Sequence, residues 1–160
     1  MSAASLRLRI RSKTGMRIRV KKLTETASLP TRGSLEAAGY HLYADLEEPV
    51  IIAPHETKMI SLGIAMEIPK GYFGAIFARS GLAWKESLRP ANCVGVVDSD
   101  YRGAFMIALH NDSEEVRRVE HGERIAQMVV IPYLSVDFEE AETLDETARG
   151  GGGFGSTGKK

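Results

Sequence analysis

Apolar and polar residues alternate with a period of two along much of this chain. The stretches Leu6-Arg7-Leu8-Arg9-Ile10-Arg11 and Met16-Arg17-Ile18-Arg19-Val20-Lys21 alternate strictly, and within residues 38–46 His41, Tyr43 and Asp45 interleave with Leu42, Ala44 and Leu46. Such a period sends successive side chains to opposite faces of a strand, one buried and one wet. Further runs at 50–52, 58–68, 72–78, 105–110 and 125–133 are rich in β-branched and aromatic residues and are punctuated by Gly, Pro and Asn. Short strands between turns predict an all-β sandwich or barrel. One short helix is expected, beginning near Gly81-Leu82-Ala83-Trp84-Lys85. Residues 145–160 change character, with Arg149 followed by glycines among which only Phe154, Ser156 and Thr157 carry functional side chains. Such a segment cannot bury a core, which predicts a mobile arm.

At 160 residues, 43% hydrophobic and 26% charged, the chain has the size and composition of one globular domain. No apolar run reaches the roughly 18 residues of a membrane helix, and the first 15 residues lack the apolar stretch of a secretory signal. Cys93 is the single cysteine, which excludes an internal disulfide and a multi-cysteine zinc site and suits a reducing compartment. A cytoplasmic location is therefore expected, without a membrane partner.

The net charge of zero conceals a division. Residues 1–22 hold eight of the 21 basic residues and no acid, so the remainder sets 13 basic against 21 acidic residues. A basic arm on an acidic body fits nucleic-acid contact. The alternation favours a different reading, basic residues on the open face of a strand, where they discourage edge-to-edge pairing. The same alternation favours a strand over an organelle transit peptide. Since Met16 opens a strand of its own, the chain divides into a basic extension at 1–15, a β-barrel at 16–144 and the arm at 145–160.

Five short blocks carry chemistry. Ala38-Gly39-Tyr40-His41-Leu42 is weak alone, a glycine ahead of a strand. Ala78-Arg79-Ser80-Gly81-Leu82-Ala83 combines a forked cation, a hydroxyl and an approachable backbone at a strand-to-helix junction. That makes either a phosphate cradle or a helix start with a surface Arg. Asn92-Cys93-Val94-Gly95-Val96-Val97-Asp98-Ser99-Asp100-Tyr101-Arg102-Gly103 places carboxylates and a ring at what reads as a hairpin tip. Asp98 there suits a general base or a metal contact, or the turn is simply capped by its own Asp and Ser. Gly122-Glu123-Arg124-Ile125-Ala126-Gln127 reads as a turn entering a strand. In the fifth block, Arg149-Gly150 through Thr157-Gly158, Phe stacks on a base while Arg and hydroxyls meet phosphates; a plain linker needs neither.

In this order and spacing the blocks resemble the trimeric dUTP pyrophosphatase (dUTPase) family, from about Met16 to Gly158. The resemblance implies a distorted, jelly-roll-like β-barrel forming a homotrimer, with active sites shared among subunits and closed by the C-terminal arm. It implies hydrolysis of dUTP to dUMP and pyrophosphate with Mg²⁺ on the triphosphate, which limits uracil in DNA and supplies dUMP for dTMP synthesis. Asp98 would be the general base and hold the 3′-hydroxyl, with Tyr101 beneath the deoxyribose. Asn92 and the backbone of Val96 and Val97 would read uracil, with Met106 lining the pocket. Arg79, Ser80, Gly81 and Gln127 would hold phosphates and the attacking water. Arg149, Gly155, Ser156 and Thr157 would clamp the γ-phosphate while Phe154 covers the uracil ring. Screening about four negative charges calls independently for Arg79, Arg149 and a dication.

One position departs from the family pattern Ala-Gly-x-Asp-Leu: His41 stands where the acid associated with the Mg²⁺ water shell is found. Asp45 is no substitute, lying about 13 Å further along an extended strand. The alternative to an active enzyme is therefore a weakly active or non-catalytic dUTP-binding relative. A dCTP deaminase of related fold is the third reading, opposed by the complete arm and the Asp98–Tyr101 turn.

Overall fold

The computed structural model describes residues 15–153, and in it the apolar runs and the alternating stretch that begins at Met16 yield antiparallel strands. They are β1 (Arg19–Lys22), β2 (Thr31–Arg32), β3 (Tyr40–Tyr43), β4 (Val50–Ile52), β5 (Thr57–Ser61), β6 (Ile64–Glu67), β7 (Tyr72–Phe77), β8 (Leu88–Pro90), β9 (Val94–Val97), β10 (Met106–Asn111), β11 (Arg117–Val119) and β12 (Arg124–Pro132). The helix α1 (Ser80–Glu86) follows β7, as the sequence predicts, and packs Leu82 into the core. No helix among the described residues is long and apolar enough to cross a membrane.

The largest sheet runs β2-β3-β12-β7-β9, a second runs β5-β10-β8, and the pairs β1-β6 and β4-β11 complete the wall. Each sheet sends one face inward. Leu42, Ile52, Ile60, Leu62, Ile64, Leu88, Leu109 and Ile125 are fully buried and come from or adjoin all four sheets. Each such side chain contributes about 1.5–3 kcal/mol by leaving water. The all-β expectation holds.

Three details differ from the pattern read along the chain. Residues 58–68 form two strands rather than one, because the chain turns at Gly63, where φ is 61°. A Cβ at Gly63 would overlap the Asp45 carboxylate, so the break is set by packing that no local pattern records. Strands β2, β8 and β11 have only two or three residues, too few to display a period. The expected hairpin tip at Asp98–Tyr101 is not one: β9 pairs with β7, whereas β10 pairs with β5 and β8. The segment after β9 therefore crosses from one sheet to another.

After β12 the chain leaves the barrel. Leu134, Val136 and Phe138 alternate with polar residues yet are 88%, 60% and 97% exposed. Further on, Arg149 lies in a turn in which its Nε donates to the Gly152 carbonyl at 2.8 Å. The expectations for residues 1–14 and for Phe154, Gly155, Ser156 and Thr157 lie outside the described residues.

Candidate active site

Asp98 ends β9, and the following turn is closed by the Tyr101 amide donating to the Asp98 carbonyl at 3.2 Å. Arg102 ties the turn down by donating to the carbonyls of Ser99 and Tyr101 at 2.7 and 2.9 Å. The Tyr101 hydroxyl donates to the Ala104 carbonyl at 3.0 Å, and its ring leans on buried Phe105, with centroids 6.0 Å apart. Gly103 is required here, since a Cβ would overlap the Tyr101 phenol. The ring is thus fixed by backbone on one side and by core on the other.

This arrangement opens a cleft of about 320 Å³ that brings together Val96, Val97, Asp98, Tyr101 and Met106. Met59, Ile76, Ala104 and Phe105 complete it, none of which the sequence singled out. Met59 enters because β5 pairs with β10, setting it opposite Ala108, two positions from Met106 on the same face. Only the pairing register carries that signal. The walls are mostly apolar with one carboxylate, which suits a flat, uncharged ring and its sugar. Asp98 also faces a second cleft, of about 570 Å³, with Lys70, Asp100, Arg102 and Tyr133. Asn92 lies outside both linings, at the opposite end of β9, its amide against Gly95.

A second group gathers elsewhere. Arg79, Ser80 and Gly81 occupy the junction of β7 and α1, and Arg79 Nη1 donates to the Arg124 carbonyl at 2.6 Å. Gln127 stands between His41 on β3 and Phe77 on β7, and its amide donates to the Ala78 carbonyl at 2.9 Å. Gly39 makes room for it: a Cβ there would sit 2.5 Å from Gln127 Oε1. Arg124 is the residue the sequence reading missed. Three positions from Gln127 in a regular strand, it would face the other way. The irregularity between Arg124 and Ala126 shifts the register, so that Arg124 pairs with Tyr43 while Gln127 pairs with His41. Tyr43 and His41 share a face, and so therefore do Arg124 and Gln127.

Electrostatically this group is cationic. Burial, then Arg79 and Arg124, push the His41 imidazole below its ordinary value, so it is neutral at neutral pH. Its Nδ1 is shielded from solvent and has no hydrogen-bond partner among the described residues. Partial burial and the Arg124 charge likewise lower Arg79, which remains a guanidinium cation.

The two groups are separated along β7. Val97 pairs with Gly74 and Val94 with Phe77, so Asp98 lies at the start of β7 and Arg79 just past its end. Asp98 falls opposite Phe73, six residues before Arg79, which at about 3.3 Å each puts roughly 20 Å between them. Among the described residues no three His, Cys, Asp or Glu side chains gather to hold a metal.

The site thus combines a mostly apolar cleft beside a carboxylate with a separate cationic cluster on an antiparallel β fold. The family model described as dUTPase matches residues 25–158. Deoxyuridine 5'-triphosphate nucleotidohydrolase of Hydrogenobaculum sp. is 46% identical over 91% of this chain and all of its own length. The Mus musculus protein of the same name is 41% identical over 99% of this chain and 95% of its own. A mutant dUTPase of Staphylococcus bacteriophage 80alpha, solved with dUpNHpp, superimposes with a TM-score of 0.81 at 29% identity, covering 89% of this chain and 98% of that one. The chain belongs to the dUTPase family, and its fold is the family's jelly-roll-like β fold.

Proposed function

We propose that this protein hydrolyses dUTP to dUMP and pyrophosphate, in the cytoplasm, at a site assembled between copies of the chain. The observation that carries the reading is the cleft uniting Val96, Val97, Asp98, Tyr101 and Met106. In it the backbone of Val96 and Val97 offers donors and acceptors to a uracil edge, with Asn92 assigned to the same base. Met106 fills the base pocket, and the fixed Tyr101 ring lies beneath the deoxyribose, leaving no room for a 2′-hydroxyl. Asp98 accepts the 3′-hydroxyl and takes a proton from the attacking water. The water oxygen bonds to the α-phosphorus as the bridge to the β-phosphate breaks, and pyrophosphate leaves.

Arg79, Ser80, Gly81 and Gln127 hold the phosphates. A triphosphate reaching them from Asp98 of the same chain would have to span the length of β7. We therefore assign the two groups in each site to different copies, in the homotrimer that the family resemblance implies. The uncovered alternation of Leu134, Val136 and Phe138 supports association, since that pattern is a strand face awaiting a partner. Arg149, Gly155, Ser156 and Thr157 close on the γ-phosphate, and Phe154 covers the uracil, as a mobile arm.

Mg²⁺ is assigned to the triphosphate rather than to a protein site, and is needed for turnover. The Arg79 cluster offers guanidinium, imidazole and amide groups, not the oxygen cage a hard dication takes, so an ion would be held by the phosphate oxygens. A bound dication would supply neutralisation of phosphate charge. One observation favours the second reading, a weakly active or non-catalytic dUTP-binding relative: the neutral imidazole of His41 beside Arg79 and Arg124, where the family pattern has an acid.

Pyrophosphate release measured with dUTP, dCTP, dTTP and UTP tests the assignment. Turnover is expected with dUTP alone. Binding of dUTP without pyrophosphate release would establish the second reading, and ammonia released from dCTP would establish a deaminase.

A further inference from the structure

Arg79 and Arg124 are close enough for each to feel the other's charge, and no carboxylate is paired with either among the described residues. Arg19, Arg89, Arg117 and Arg118 each pair with a carboxylate, at 2.5, 2.6, 3.0 and 2.5 Å. Arg79 and Arg124 do not: among the described residues neither makes a salt bridge, and Arg79 spends one N–H on the Arg124 carbonyl. The strand register brings Tyr43, His41 and Gln127 to the same face, none of them a carboxylate. Two neighbouring guanidinium groups, one at the N-cap of α1 and one at the start of β12, thus stand without a carboxylate partner among the described residues. Such an arrangement is costly when empty and is relieved by an anion.

Resting on the dUTP reading above, we propose that the Arg79–Arg124–His41 face takes the triphosphate as the free anion, so that this protein binds dUTP almost independently of a divalent cation. A carboxylate at position 41 would neutralise one guanidinium and repel the phosphates, and a dication would then be needed between them. A neutral imidazole imposes neither effect. The metal requirement is thereby confined to turnover, while affinity is supplied by the chain itself.

The test is calorimetric titration of the full chain with dUpNHpp, once in Mg²⁺ and once in EDTA, for wild type, His41→Asn and His41→Asp. Wild type and His41→Asn are expected to change affinity by less than about threefold when Mg²⁺ is removed, whereas His41→Asp weakens by about tenfold or more, the usual scale for groups acting beside a metal. A wild-type loss of about tenfold in EDTA would overturn the inference, and this comparison needs no variant to fold. If wild type binds dUpNHpp in neither solution, the dUTP reading itself is wrong and the inference goes with it. Binding in Mg²⁺ but not in EDTA leaves the dUTP reading standing and removes the inference alone.

Discussion

Asp98 owes its position to three neighbours rather than to its own contacts. β9 delivers it, Arg102 pins the turn that follows, and Tyr101 is clamped between the Ala104 carbonyl and Phe105. The carboxylate itself accepts no side-chain hydrogen bond among the described residues and faces both clefts. It is therefore available to water and to a sugar hydroxyl. Asp98→Asn preserves that shape and removes only the basicity. Turnover of dUTP is expected to fall by at least about 10²-fold, the common scale of general-base catalysis, while dUpNHpp still binds. Single-turnover kinetics alongside calorimetry measures both, and near-normal turnover would remove Asp98 from the chemistry.

Between β3 and β4 a buried carboxylate anchors several elements. Asp45 accepts hydrogen bonds from the hydroxyls of Thr24 and Thr26 at 2.6 and 2.7 Å and fills the space beside Gly63. Burial raises its proton affinity, but the two threonines, aided by His121 and Lys22, outweigh this and hold it below its ordinary value of 3.8. A carboxyl depressed in the folded state stabilises above its unfolded value, and that stability is lost as pH falls through the folded one. Wild-type melting temperature should therefore drop as pH is lowered through about 4, and Asp45→Asn should show a shallower fall from a lower start at neutral pH. Parallel curves would exclude the carboxylate as an acid-sensitive anchor. Elements at this scale were only partly legible. The long apolar runs and α1 were readable because period and composition are local. Gly63, the crossing after Asp98 and the register shift near Arg124 were not, since each answers to a residue distant in sequence. The site divided the same way: chemistry-bearing types stood out in the motifs, but Arg124, Met59 and the separation of the two groups depend on strand pairing.

At the scale of the whole molecule, the geometry of β7 makes a demand that one chain does not meet. Asp98 and Arg79 flank opposite ends of a strand of six residues, whereas the proposed assignment has both act on one nucleotide. If each site draws these residues from different copies, two variants that are inactive alone should complement one another when mixed. Asp98→Asn and Arg79→Ala proteins, unfolded together and refolded at equal ratio, should regain about one quarter of wild-type activity, the fraction of sites in a randomly mixed, symmetric assembly that receives both intact residues. A site built within one chain predicts none, because every chain carries one defect. Each variant refolded separately supplies the baseline, and mass measurement of the mixture verifies that hybrid assemblies form. Hybrid assemblies with no activity above that baseline would place both groups in the same chain, and the substrate would then have to lie along β7 rather than across an interface.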